Sequence, residues 1–155
     1  MKYFTIDNWI ADQDLSQEPL PTHLAGREYQ RYFDFVRDRL PQSYLGLVKE
    51  WYLHDSTLTS LEIDHASQRA RLILASWKHD RSGGVLSITY SGLARVRAES
   101  DSEKGLPGPN GFGDLGYDEI EVLNDDLFEH RILFSSGIEL TFQFVGLAYA
   151  EVRGA

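Results

Sequence analysis

The sequence predicts an α+β domain, with N-terminal helices followed by a curved antiparallel meander of six or seven strands. Three observations predict it. Apolar residues recur at helical spacing through residue 57. From Leu58 the period changes to two. The alternating segments are joined by turns too short for the crossovers that parallel strands require. Helices precede strands and do not interleave with them, which argues for α+β and against α/β.

The helical part comes first. Trp9 is the anchor of a short helix near residues 7–12. In AGREYQRYFDFVRDRL, Tyr29, Phe33, Val36 and Leu40 follow one another at steps of four, three and four, which is one helix face. Arg27, Arg31, Asp34 and Asp38 fall on the opposite face. Pro41 stops this helix or starts the next, SYLGLVKEWYL, whose stripe is Tyr44, Leu47, Val48 and Trp51. The two prolines of LSQEPLPTHL read as an extended linker within the domain.

The sheet part spans 58–153. LTSLEIDH sets Leu61, Ile63 and His65 against Ser60, Glu62 and Asp64. ARLILASW is more continuously apolar, as suits a central strand. VLSITYSGL and YDEIEVL alternate again, and ASQR, HDRSGG and NDD supply turns. FEHRILFSSGIELTFQF is a hairpin with its turn at Ser136-Gly137. One segment interrupts the meander: residues 98–117, rich in glycine and proline, form a long loop of the kind that carries function.

The chain has 155 residues, the size of one domain, and is long enough to bury a core without cross-links. It has no cysteine, which excludes disulfides, thiol catalysis and cysteine-based metal sites and fits a reducing compartment. The first residues lack a signal-peptide core, and no run approaches the roughly 18 apolar residues of a membrane span, so a cytoplasmic location is expected. The formal charge of −9 opposes nucleic acid and favours a basic protein partner.

Few motifs carry chemistry. Gly111 to Gly116 matches G-x-G-x-x-G, but a glycine–proline loop precedes it and a strand-like segment follows, the wrong context for a phosphate-binding helix. His54-Asp55 resembles the pair used by metal-dependent phosphohydrolases, yet that chemistry needs more ligands on several helices. The plainer expectation makes both residues junction elements tying the second helix to the first strand. They remain the candidate catalytic pair.

His79-Asp80 reads as an exposed turn. Glu129 and His130 alternate to opposite faces, and His65 reads as half-buried. A metal site from His54, His65 and His130 has no support in spacing, and no metal or cofactor is expected. Phe112, Trp77 and Tyr90 are the candidate ligand or partner surface.

MKYFT with Trp9 following, RLP ending a helix, LHDS leading into a strand and HRILFSSGIELTFQF together resemble an uncharacterised family of small bacterial proteins. The resemblance implies a bacterial cytoplasmic protein and carries no catalytic residue across. The leading expectation is a non-enzymatic binding or interaction domain, like the small immunity proteins that neutralise basic toxins. The alternative is a small-molecule-binding or hydrolytic domain with a pocket near His54 and Asp55. The two differ spatially: the alternative requires titratable groups converging in one cleft.

Overall fold

The structure is a computed structural model that describes residues 1–14, 16, 18–101, 103–106 and 111–152. Among the described residues three α-helices come first: α1 (Ile6–Ala11), α2 (Pro21–Val36) and α3 (Gln42–Glu50), with a 3-10 turn at Arg37–Arg39. Thr5 caps α1, its hydroxyl accepting the Asn8 N–H. The second proline of the expected linker is the first residue of α2, where its missing N–H costs nothing. Val36 and Leu40 are buried and Phe33 packs against the core, so the face expected of this helix is the one that docks.

The helical part ends seven residues earlier than expected. Strand β1 (Trp51–Asp64) starts directly after α3. Trp51 and Leu53 are buried while Tyr52 is exposed, a period-two pattern within what also fits a helical stripe. Pairing decides between the two: Trp51 faces Lys78 and Tyr52 faces Trp77 on the next strand. A short apolar run is ambiguous until its hydrogen-bond partner is present.

Eight strands follow among the described residues, all paired antiparallel, where six or seven in one meander were expected. After β1 come β2 (Arg69–Lys78), β3 (Gly83–Ser91), β4 (Arg95–Glu99), β5 (Leu115–Val122), β6 (Phe128–Phe134), β7 (Glu139–Phe144) and β8 (Gly146–Glu151). They form two four-stranded sheets, ordered β1-β2-β3-β8 and β4-β7-β6-β5. The chain changes sheet between Ser91 and Arg95 and again at Val145, where Val145 N–H donates to Ser91 and Ala94 N–H to Gln143. Strand β4 takes in the first two residues of the expected loop. It is an exposed, charged edge strand, RVRAE, whose weak apolar signal is the kind that blunts an edge.

The core lies where the sheets meet. Tyr90 of β3 stacks on Phe142 of β7 at 4.6 Å between centroids. Leu72, Leu74, Leu86 and Ile88 from the first sheet and Ile132, Phe134, Leu140 and Phe144 from the second are fully buried around them. An isolated bridge, Thr57 to Asp114, joins β1 to the start of β5.

The expected 98–117 loop is shorter and better anchored than its composition suggests. Its ends belong to β4 and β5, and residues 102 and 107–110 lie outside the described residues. Leu106 N–H donates to Ser135 and Ser135 N–H to Asp114, both at 2.8 Å. Phe112 packs edge-on against Phe134. Leu106, Phe112 and Asp114 are therefore tied to the β6–β7 turn. Gly137, at φ +84°, closes that turn with its α-carbon against the Lys104 carbonyl, which leaves no room for a Cβ. Gly137→Ala should lower stability by about 1–3 kcal/mol in a denaturant melt. An unchanged midpoint would show the clamp to be dispensable.

The outer face of the second sheet carries buried charge. Glu119 accepts the backbone N–H groups of Lys2, Tyr3 and Phe4, at 2.9, 2.6 and 2.6 Å. Arg131 lies beside it, paired with Glu119, Glu121 and Glu129. Burial alone would raise the Glu121 carboxyl, but the hydrogen bonds and charges of Arg131 and Lys2 outweigh it and hold it below the usual range. Among the described residues, no helix is long and apolar enough to cross a membrane.

Candidate functional site

The register of β1 against β2 breaks once sharply. Tyr52 pairs with Trp77 and Thr57 with Ala75, so β1 carries three more residues than β2 across the same span. The extra chain bulges outward. Asp55 adopts φ +64°, a left-handed conformation that a non-glycine residue takes at a cost. Ser56 turns inward and is tied to Ser76 by a 2.7 Å hydroxyl contact. His54 and Asp55 therefore sit on a bulge in a strand, and not at a helix–strand junction. Bulges of this kind re-aim side chains.

A cleft lies around the bulge in two compartments that share Tyr52, His54 and His79. The outer one, about 340 Å³, adds Asp55, Trp77, Lys78 and Arg81. Tyr52 and Trp77 are cross-strand partners, 48% and 51% exposed, and form its aromatic side. Trp77 faces Gly83 across β2 and β3, and its ring lies 3.2 Å from where a Cβ would stand, so the glycine lets the indole pack closely over β3. Lys78 is committed to Glu151 and Glu50, and its ammonium lies over the Trp51 ring. Arg81, at φ +70° in the β2–β3 turn, has no ionic partner among the described residues. The neighbouring Asp80 is held by Ser82, whose hydroxyl and N–H bonds lower its carboxyl pKa.

The inner compartment, about 290 Å³, lies between α2, α3, β1 and β5. Its walls are largely aromatic, from Phe4, Tyr29, Trp51, Tyr52 and Tyr117, and its charged group is Asp118. Phe4 stacks on Tyr117 at 4.7 Å, and His54 meets the same tyrosine edge-on at 5.6 Å. His79 Nε2 donates to the Val48 carbonyl at 3.0 Å, since a carbonyl only accepts; this fixes that ring at the rim.

Asp118 is the outer end of a buried polar chain. Its Oδ2 accepts from Tyr44 Oη at 3.1 Å and from His130 Nε2 at 3.0 Å. His130 is fully buried, and its Nδ1 lies 2.7 Å from Tyr90 Oη. The tautomer with its proton on Nε2 satisfies both contacts, with the Tyr90 hydroxyl donating to Nδ1. Burial first, and the Asp118 charge second, push Tyr44 and Tyr90 well above the usual phenol range, so both remain donors.

Two buried side-chain polar atoms have no hydrogen-bond partner among the described residues: Trp51 Nε1 and His54 Nδ1. His54 Nδ1 is 3.0 Å from Asp55 Oδ1, but the approach is off the direction of a hydrogen bond, so proximity leaves it unsatisfied. Both residues line the inner compartment.

The structure brings His54, Asp55 and Trp77 together in one cleft. It separates the other candidates. Tyr90 is fully buried and offers no surface, because the alternation that defined its strand points it at the second sheet. Phe112 is half-buried against Phe134, away from the cleft lining. His65 is exposed in the β1–β2 turn, His130 is in the core and His54 is on the bulge, so the three do not meet.

Glu129 and His130 do face opposite ways, but both are buried, Glu129 by its ion pair with Arg131. Sequence reasoning missed Asp118. Asp118 shares strand parity with Ile120 and Val122, so a carboxylate on an apolar face was the available signal. No protein-family model matches this chain, and no curated protein does.

Proposed function

We propose that this protein is a small-molecule-binding domain whose site is the two-compartment cleft around His54. The carrying observation is that two half-exposed aromatic side chains, Tyr52 and Trp77, stand with His54, Asp55 and His79 around one cleft of about 340 Å³. Convergence of His54, Asp55 and His79 in a cleft supports this reading over an acidic face that neutralises a basic protein, which has the net charge of −9 in its favour. We read the ligand as bound and not transformed, since no serine or threonine is among the described residues lining the cleft. The absence of cysteine fits work in the cytoplasm of a bacterium.

The test is a titration of the labelled protein with imidazole, benzoate and benzylamine, followed through the indole and imidazole NMR signals. At least one fragment should shift Trp51, Trp77 and His54 saturably. Trp77→Ala should weaken binding in the outer compartment while costing under about 1 kcal/mol of stability, since it removes one cross-strand pair on an open face. If none of the three fragments moves those signals at millimolar concentration, the reading is wrong.

A further inference from the structure

Resting on that reading, we infer that the outer compartment binds a neutral sugar ring: a pyranose laid on Tyr52 and Trp77, with its hydroxyls held by Asp55 and Arg81. The aromatic floor is held in place. The Trp77 indole packs over Gly83 of β3 and stays half exposed. Tyr52, its cross-strand partner, packs against His54 and His79, at 5.8 and 6.1 Å between centroids. His79 is itself tied to the Val48 carbonyl. Rings held in this way lose little freedom when a ligand lies on them.

Charge decides what lies there. Asp55 is the one carboxylate among the lining residues, and Arg81 is the cation among them without an ionic partner among the described residues. Lys78 is answered by Glu50 and Glu151. The fixed charges therefore balance, and neither an anion nor a cation gains a net attraction. An apolar ligand would cover Asp55 and Arg81 while offering them no hydrogen bond. A pyranose matches both parts of the compartment. Its C–H face is apolar and meets the electron-rich face of an aromatic ring. Its rim hydroxyls donate to a carboxylate and accept from a guanidinium. Tyr52, Trp77 and Asp55 are all exposed, so the ligand is covered from one side, and a hydroxylated molecule keeps its water on the other.

Asp55 and Arg81 stand at φ +64° and +70°, a conformation that glycine adopts without cost. Asp55→Gly and Arg81→Gly therefore remove each side chain and keep its backbone. The probes are methyl β-glucopyranoside, methyl β-galactopyranoside and methyl α-mannopyranoside. Cyclohexanol is the ring without the hydroxylated rim, and glucuronate and glucosamine are the charged relatives. The Trp77 indole and Tyr52 ring NMR signals are read first on the unmodified protein. At least one glycoside should shift both saturably, and cyclohexanol should bind roughly tenfold or more weakly. Each glycine variant should keep the parent's melting temperature and bind that glycoside roughly fivefold or more weakly.

Cyclohexanol binding as tightly as the best glycoside would overturn the inference, and so would glycoside binding unchanged in both glycine variants. Glucuronate or glucosamine binding roughly tenfold more tightly than every glycoside would overturn it by showing that the cleft selects an ion. If no glycoside binds at millimolar concentration while imidazole, benzoate or benzylamine moves the cleft signals, the inference falls and the small-molecule reading stands. Silence from glycosides and fragments alike removes both.

Discussion

Replacing Glu119 by alanine should lower stability by about 3 kcal/mol and release the N-terminal segment from the second sheet. The carboxylate is 1% exposed and holds three consecutive backbone N–H groups, of Lys2, Tyr3 and Phe4, with Arg131 on its other side. Hydrogen bonds to a charged group are stronger than neutral ones, and an alanine would leave the three amides with no acceptor at that place. Arg131 retains Glu121 and Glu129, so the loss falls on the segment more than on the arginine.

Glu119→Gln keeps the shape and one acceptor, and should cost about half as much. The readouts are a urea melt and amide exchange at residues 2–4, which should become fast in the alanine variant. Phe4 lines the inner compartment, so fragment binding in the cleft should weaken with it. A loss below about 1 kcal/mol, with those amides still protected, would show that the segment is held by its aromatic contacts instead. The neighbouring Glu121 sets a pH dependence. Its folded pKa is depressed, so its contribution is complete at neutral pH and is lost as pH falls through that lowered value.

His130→Ala should be comparably damaging, at about 3–4 kcal/mol. It removes a fully buried ring from between the sheets, strands the Tyr90 hydroxyl and takes one of two donors from Asp118 Oδ2, which keeps Tyr44. His130→Phe separates the two effects, because it fills the space and removes only the hydrogen bonds. Tyr90→Phe made in that background should recover stability, since both members of one pair are then apolar. The expected coupling between positions 90 and 130 is about 1–2 kcal/mol by double-mutant cycle. Strict additivity would mean that the 2.7 Å contact contributes nothing to stability.

Much of the fold was legible because its signals are local. The helix face of Tyr29, Phe33, Val36 and Leu40 docks as its spacing required, and the turns at Asn124–Asp126 and Ser136-Gly137 stand where turn residues placed them. Errors came where two local patterns overlapped or one was faint. WYL satisfied a helical stripe and a strand alternation equally well. RVRAE carried too little apolar character to read as a strand, and its pairing with β7 is set by residues 40 or more positions away.

The sequence by itself determined the class of this protein: helices first, antiparallel strands after, no thiol chemistry, and a His-Asp pair near the change of period. These follow from periodicity and composition, which are properties of neighbouring residues. The tertiary structure alone decided that the strands divide into two sheets, that the His-Asp pair rides on a bulge, and that His130 and Glu119 are buried and satisfied. It also decided that Asp118 and Trp51 share a cavity with His54. Each of these depends on which distant strand supplies the partner. A bulge exists only relative to the strand it fails to match, and a cavity only between elements that have already packed.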